Sequence, residues 1–291
     1  MHRPSLDRAA DLREEPDVID RLRAATDTRT IVVREGRVRL AGDSLLRVAP
    51  EEPVEATWAL LGRDLDGTVL LLAAIPPETE PVDAAPAETW LGLRDLGAGL
   101  APHETEILIE ALALAAWLRD AAFCPTCGGP TELRQAGWSR RCLVCGRDHF
   151  PRTDPAVIVA VESLDGERLL LGANANWGGR MYSCFAGFVE AGEPLEATVH
   201  REIAEEAGVR LSALRYVSSQ AWPFPRSLMV GFRAVVENES DATPDGEEII
   251  DVRWLTRTEV ASSLNGDGPV GLPGPSSIAR ALIVDWLENT V

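Results

Sequence analysis

Three glutamates, Glu202, Glu205 and Glu206, stand three and four residues apart in the stretch Arg201-Glu202-Ile203-Ala204-Glu205-Glu206. On a helix that spacing puts the three carboxylates on one face, where like charges repel unless a cation lies among them. A carboxylate set suits a hard, oxygen-seeking ion such as Mg²⁺ or Mn²⁺. The competing reading is a solvated acidic helix. A second constellation lies upstream. Cys124-Pro-Thr-Cys127-Gly128 and Cys142-Leu-Val-Cys145-Gly146 are two CxxC turns, each followed by glycine. Two thiolates on one tight turn fill adjacent tetrahedral positions, and two such turns close a four-sulfur site for one structural Zn²⁺ per chain. A redox dithiol is the alternative, but one pair would suffice for it. The fifth cysteine, Cys184, sits alone in an apolar stretch and reads as packing.

Elements must position these groups. The spacing predicts a helix over residues 194–207, ended by Gly208 as its left-handed cap. Val199 and Ile203 turn inward, and Glu193 just ahead of the helix is placed to pair with Arg201. Strands are expected over 156–161 and 168–171 around the Asp165-Gly166 turn. More follow over 182–186, 215–218, 228–236 and 249–254, with a last helix over 277–288. Ahead of the cysteines, strand-like runs cover 30–34, 37–40, 57–61 and 68–75, the first two joined by Glu35-Gly36. A helix is expected over 104–120, with Ile107, Leu108, Leu112, Ala115 and Leu118 on its apolar face. Residues 76–86 read as an exposed loop, and the first 25 residues as a polar, helix-biased surface segment. These divisions give an N-terminal α/β domain (1–120), a zinc ribbon (121–150) and a mixed α/β domain (151–291).

The chain has 291 residues and a net charge of −18, with every basic residue other than histidine an arginine. That charge excludes a surface that binds nucleic acid throughout. It is compatible with one compact anionic ligand held through metal ions. Residues 121–152 are a basic island of five arginines against two acids. This island reads either as solubility for a small module or as contact with a polyanion such as an RNA tail. The N-terminus lacks an apolar core of the signal-peptide kind, and no apolar run approaches the ~20 residues that span a bilayer. No membrane association and a cytoplasmic location are expected.

Gly187, Glu193, Arg201, Glu202, Glu205, Glu206 and Gly208 together resemble the signature of the Nudix hydrolases. The resemblance implies an α/β/α sandwich around a mixed sheet, and hydrolysis of a nucleoside diphosphate linked to a further group. Glu202, Glu205 and Glu206 would then carry the catalytic metals. Downstream, Ser219-Gln220-Ala221-Trp222-Pro223-Phe224-Pro225-Arg226-Ser227 resembles the array of the NADH pyrophosphatase branch, with Ala221 replacing a proline. Prolines flanking Phe224 stiffen the segment, so Trp222 and Phe224 are suited to stacking a nicotinamide or adenine ring. Gln220 and Ser227 could hydrogen-bond ring edges or ribose. The branch also implies a further metal carboxylate at Glu248, with Glu247 as the neighbouring alternative. It implies a metal contact from the Ala186 carbonyl, a backbone substrate contact at Ala279, and Phe150 near the base in place of a tyrosine.

The expected activity is hydrolysis of NADH or NAD⁺ to nicotinamide mononucleotide and AMP, and removal of a 5′-NAD cap from RNA, by a homodimer. The alternatives are a generalist acting on ADP-ribose or dinucleoside polyphosphates, and a non-catalytic nucleotide sensor.

Overall fold

The computed structural model describes residues 6–50, 55–79, 90–96 and 99–289. Of the expected 76–86 loop, residues 80–86 lie outside that set. The chain forms two compact units, Met1–Arg152 with Pro223–Pro225, and Thr153–Trp222 with Arg226–Val291.

In the first unit α1 (Val18–Arg23) leads into β1 (Arg29–Arg34), β2 (Thr57–Arg63) and β3 (Val69–Ile75). β1 runs parallel to β3, and β2 pairs with β3 antiparallel. All three strands are buried through their middles, apolar but for Thr30 in β1, because the sheet is covered on both faces. α2 (Pro102–Asp120) begins two residues earlier than its apolar period, with Pro102 supplying a first turn that needs no N–H. The five apolar positions read from sequence are buried. The first 25 residues are not merely a surface segment. Leu6, Ala9, Val18 and Leu22 are buried, the last three in one cluster with Trp58, Leu60 and Leu71. The polar character of the segment hid this, because a short helix needs few apolar residues to seal a small core.

The cysteine module follows within the same unit as β4 (Thr131–Arg134), β5 (Ser139–Cys142) and β6 (Asp148–His149), in the order β6-β5-β4. Ala136 belongs to the cluster around Trp58, and Trp138 Nε1 donates to the Leu60 carbonyl at 2.7 Å.

The second unit is built on β7 (Asp154–Glu162), β8 (Arg168–Asn174), β9 (Phe185–Phe188), β10 (Leu211–Trp222), β11 (Ser227–Val236) and β12 (Ile249–Thr256). β7 pairs with β11 in parallel over Asp154–Glu162 and Ser227–Val235, and the other pairings are antiparallel, so the sheet is mixed. α3 (Leu195–Ala207) covers one face through Val199, Ile203 and Ala207. α4 (Arg257–Leu264) and α5 (Ile278–Glu288) cover the other through Val260, Leu282, Ile283 and Trp286. These layers are the expected α/β/α sandwich.

Three local differences from expectation bear on the site. The 182–186 strand is broken at Cys184 into Tyr182–Ser183 and β9, and Cys184 is buried as expected. β10 is twelve residues long and runs to Trp222, so half of the aromatic segment is strand rather than loop. α4 was not anticipated, although Thr256 and Glu259 form its capping box.

Candidate active site

α3 starts after Pro194 and stops at Gly208, whose φ of 67° is the left-handed turn the sequence called for. Ahead of it Glu193 and Arg201 make a two-pronged pair, Nε to Oε1 and Nη2 to Oε2, both 2.9 Å. Thr198 Oγ1 and the Glu190 amide also donate to Glu193. The Arg201 guanidinium, with these other donors, holds the Glu193 carboxyl down at about 2. The same arginine donates to the Phe188 carbonyl at 3.1 Å, to Glu202 at 2.8 Å and to Glu205 at 3.0 Å. One side chain thus ties the loop before the helix, the end of β9 and the acidic face together.

The three helix glutamates are not equivalent. Glu206 is 5% exposed, and its Oε2 has no hydrogen-bond partner. Burial, then the charges of Glu248 and Glu202, push its carboxyl up to about 8, with the Ala186 amide opposing them and Asp245 adding to them. Glu202 is raised too, by burial first, against Arg201, which lowers it. Glu205 is exposed and turned to Arg201. Of the two candidates on the approach to β12, Glu248 is the one whose charge reaches Glu206 and Glu202, and it accepts a hydrogen bond from Asn174 at 3.2 Å.

Two supports were not read from sequence. A Cβ on Gly187 would lie 1.9 Å from Glu202 Cδ, so the glycine in β9 is what lets Glu202 lie against the strand. Asp245 Oδ1 accepts from the amides of Glu247, Glu248 and Ile249 at 2.8–3.0 Å, which fixes the turn carrying Glu248. The signal was present in Asp245-Gly246, since an aspartate that accepts the next amides is a standard turn device.

A buried carboxylate with an unpartnered oxygen, raised by neighbouring carboxylates, is stable as an ion only beside a cation. The donor set is all oxygen and fits a divalent ion of the Mg²⁺ class. The glutamate oxygens are nonetheless spread. Among the described residues, the cysteines alone form a group of three or more metal-ligating side chains within 4.8 Å.

That cysteine group is well formed. Cys124 and Cys145 sulfurs are 3.7 Å apart, and Cys127 and Cys142 3.5 Å. A tetrahedron with ~2.3 Å bonds has edges of about 3.8 Å, so the four sulfurs fit Zn²⁺. Gly128 and Gly146 both have φ 72°, closing each turn. The Cys145 amide, against desolvation of the thiol and joined by the Val144 amide, lowers Cys142 to about 6. His149 Nε2 lies 3.2 Å from Cys124 Sγ, where it supports the site from outside the four ligands. Cys124→Ser is expected to lower both zinc content and melting temperature, because an incomplete site gives up folding energy. Metal analysis and thermal melts check this. A variant with full zinc, normal melting and no activity would count against a structural role.

The expected substrate residues are less uniform. Trp222 is half-buried at the end of β10, cross-strand from Ser227, which is 4% exposed. Phe224 is half-buried in the turn between β10 and β11. Gln220 spends both ends of its amide inside the protein, Nε2 donating to the Ser276 carbonyl and Oε1 accepting from the Ile278 amide, each at 2.8 Å. Ala279 is buried at the start of α5, with its carbonyl 3.8 Å from Cys184 Sγ. Phe150 is 42% exposed in the first unit.

Residues 152–270 match the family model described as NUDIX domain, and residues 119–150 match the NADH pyrophosphatase zinc ribbon domain. A Mycobacterium tuberculosis protein named NAD-capped RNA hydrolase NudC is 40% identical over 266 residues, covering 88% of this chain and 82% of its own. The Homo sapiens protein named NAD-capped RNA hydrolase NUDT12 is 36% identical over 199 residues, covering 65% and 43%. A crystal structure of a NUDIX hydrolase from Nitrosomonas europaea aligns with a TM-score of 0.43 at 22% identity, covering 57% of this chain and 90% of that one. Among the described residues no helix is long and apolar enough to cross a membrane.

Proposed function

We propose, for a chain that belongs to the Nudix hydrolase family, that it hydrolyses the pyrophosphate bond of NADH and NAD⁺ and removes the NAD cap from the 5′ end of RNA. Water adds across the phosphoric anhydride, giving nicotinamide mononucleotide and AMP from the free dinucleotide. Capped RNA gives nicotinamide mononucleotide and a 5′-monophosphate end. The observation that carries the reading is the buried Glu206 carboxylate, unpartnered at Oε2 and raised by Glu248 and Glu202.

Glu202, Glu206 and Glu248, with the Ala186 carbonyl, would hold Mg²⁺ or Mn²⁺, and Glu205 would join them or serve the attacking water from its place on Arg201. A divalent ion supplies neutralisation of the charge that develops on the pyrophosphate oxygens. Arg201 orients the acidic face through its bonds to Glu193, Glu202 and Glu205. Trp222 and Phe224 supply ring surface for the base. Gln220 acts by pinning the start of α5, where Ala279 would meet the substrate. The zinc ribbon match supports the choice of a dinucleotide over other Nudix substrates. A homodimer and a cytoplasmic location belong to the same reading, and light scattering should give twice the chain mass of 31.5 kDa.

Base–aromatic stacking is worth ~1–3 kcal/mol by alanine substitution. Trp222→Ala is therefore expected to lower kcat/KM for NADH by roughly 5- to 150-fold, with a smaller loss on ADP-ribose. Side-by-side rates on NADH, NAD⁺, NAD-capped RNA and ADP-ribose decide it. An unchanged NADH to ADP-ribose ratio would make the segment a structural turn and favour a generalist hydrolase.

A further inference from the structure

We propose that Trp177 is a second ring platform of the active site and stacks the adenine of the dinucleotide. This deepens the dinucleotide reading and rests on it. NADH and NAD⁺ carry two flat rings, each one ribose away from the pyrophosphate. Trp222 offers a surface for one of them. The larger loss expected of Trp222→Ala on NADH than on ADP-ribose gives that residue the nicotinamide, and leaves the adenine to a surface elsewhere beside the carboxylates.

Trp177 ends a single 3-10 turn, Ala175–Trp177, that directly follows β8, and it is 42% exposed. A lone exposed apolar side chain is ordinary. What sets this one apart is how its turn is fastened. The Ala175 amide donates to the Glu248 carbonyl at 2.8 Å, and Asn174 Nδ2 donates to Glu248 Oε1 at 3.2 Å. The other end of the same amide, Asn174 Oδ1, caps the turn by accepting from the Asn176 amide at 2.9 Å. One asparagine thus holds a site carboxylate and the ring-bearing turn in a fixed relation. Gly178 and Gly179, at φ 63° and 69°, reverse the chain straight after the ring. β12 supports that reversal. Its register against β8 shifts between Ala173 and Asn174, leaving Ile250 as an extra residue. Bulges of this kind re-aim side chains next to active sites. Ile250 is 43% exposed, and its Cδ1 lies 3.3 Å from where a Cβ on Gly179 would stand. Ile250 is two residues beyond Glu248, and Trp177 two beyond the residue bonded to the Glu248 carbonyl. A ring held this way needs little ordering when a base arrives, which favours stacking.

The two products separate the two platforms, since AMP carries only the adenine and nicotinamide mononucleotide only the nicotinamide. The test is equilibrium dialysis of each against the zinc-loaded protein with Mg²⁺, with inhibition of NADH hydrolysis as a second readout. Trp177→Ala is expected to weaken AMP binding by about 5- to 150-fold and to leave nicotinamide mononucleotide unchanged. Trp222→Ala should do the reverse. Trp177→Phe keeps a ring face and should restore most of the AMP affinity. In Trp177→Ala, kcat/KM should fall on NADH and ADP-ribose alike, because both carry adenine, so their ratio should hold where Trp222→Ala changes it. Trp177 lies at the surface, so circular dichroism and zinc content should match the wild type in both of its variants. Unchanged AMP binding in Trp177→Ala would overturn the proposal, as would a loss confined to nicotinamide mononucleotide. An equal loss on both products would also overturn it, since the turn would then act only by holding Glu248. A wild-type protein that binds AMP through Trp177 yet leaves NADH intact would instead sink the hydrolase reading and spare the platform.

Discussion

Replacing Glu206 with glutamine is expected to lower kcat by on the order of 100-fold or more, with folding retained. The substitution keeps the shape of a buried group and removes the charge on which a divalent ion would depend. Its effect on stability has the opposite sign. The Glu206 carboxyl sits at about 8 in the fold, above its ordinary value of 4.5. Below 4.5 it is protonated in both the folded and the unfolded chain. Between 4.5 and 8 the folded state holds the extra proton, so stability falls as pH rises through that window, and above 8 the loss is complete. Glutamine never ionises. Freed of Mg²⁺ and Mn²⁺ but retaining zinc, the variant should therefore melt no lower than the wild type at pH 8, and it should lack this part of the decline from pH 5. Added Mg²⁺ should raise the wild-type melting temperature more at pH 8 than at pH 6, because the ion must displace a proton. Turnover without a divalent ion, or a variant with wild-type kcat, would overturn the assignment of Glu206.

Gly187→Ala should cost about 10- to 100-fold in activity or Mn²⁺ affinity, the usual scale for disturbing a group that holds a ligand in place. The new Cβ would lie 1.9 Å from Glu202 Cδ and 2.0 Å from Oε1. Those atoms end a flexible side chain, so Glu202 can swing away without breaking the strand. Gly187 pairs with Val157 in regular register, and its backbone conformation is one that alanine adopts. Circular dichroism and zinc content should therefore be unchanged while Mn²⁺ binding, read by electron paramagnetic resonance, weakens. A fully active alanine variant would mean that Glu202 works from a different position.

Much of this site was legible because it is local. The helix bounds, the Gly208 cap and the Glu193–Arg201 pair all follow from spacing within one turn-helix segment, where 3.6-residue periodicity is a sufficient rule. The inequality of Glu205 and Glu206 was missed rather than hidden. Glu206 follows Val199 by seven residues and Ile203 by three, on the buried side of α3, whereas Glu205 lies about 100° further round the helix. Glu248 could be named only to within one residue, because its placement depends on the turn that Asp245 closes 38 residues beyond the end of α3. Gln220 shows the converse. Its type suits recognition of a ring edge, but the contacts that absorb its amide come from residues 276 and 278, which no local pattern joins to it.

The parallel pairing of β7 with β11 also governs how the active protein is made. Asp154 lies opposite Ser227 and Glu162 opposite Val235, so the two strands meet only after the whole of β8, β9, α3 and β10 has been threaded between them. Closing so long a loop is slow, and the ladder returns no energy until the loop is closed. α3, by contrast, has its period and its left-handed stop within its own short segment. During refolding from denaturant the helical signal should recover early and hydrolytic activity late, so a nascent chain would own its acidic helix well before it had anywhere to use it.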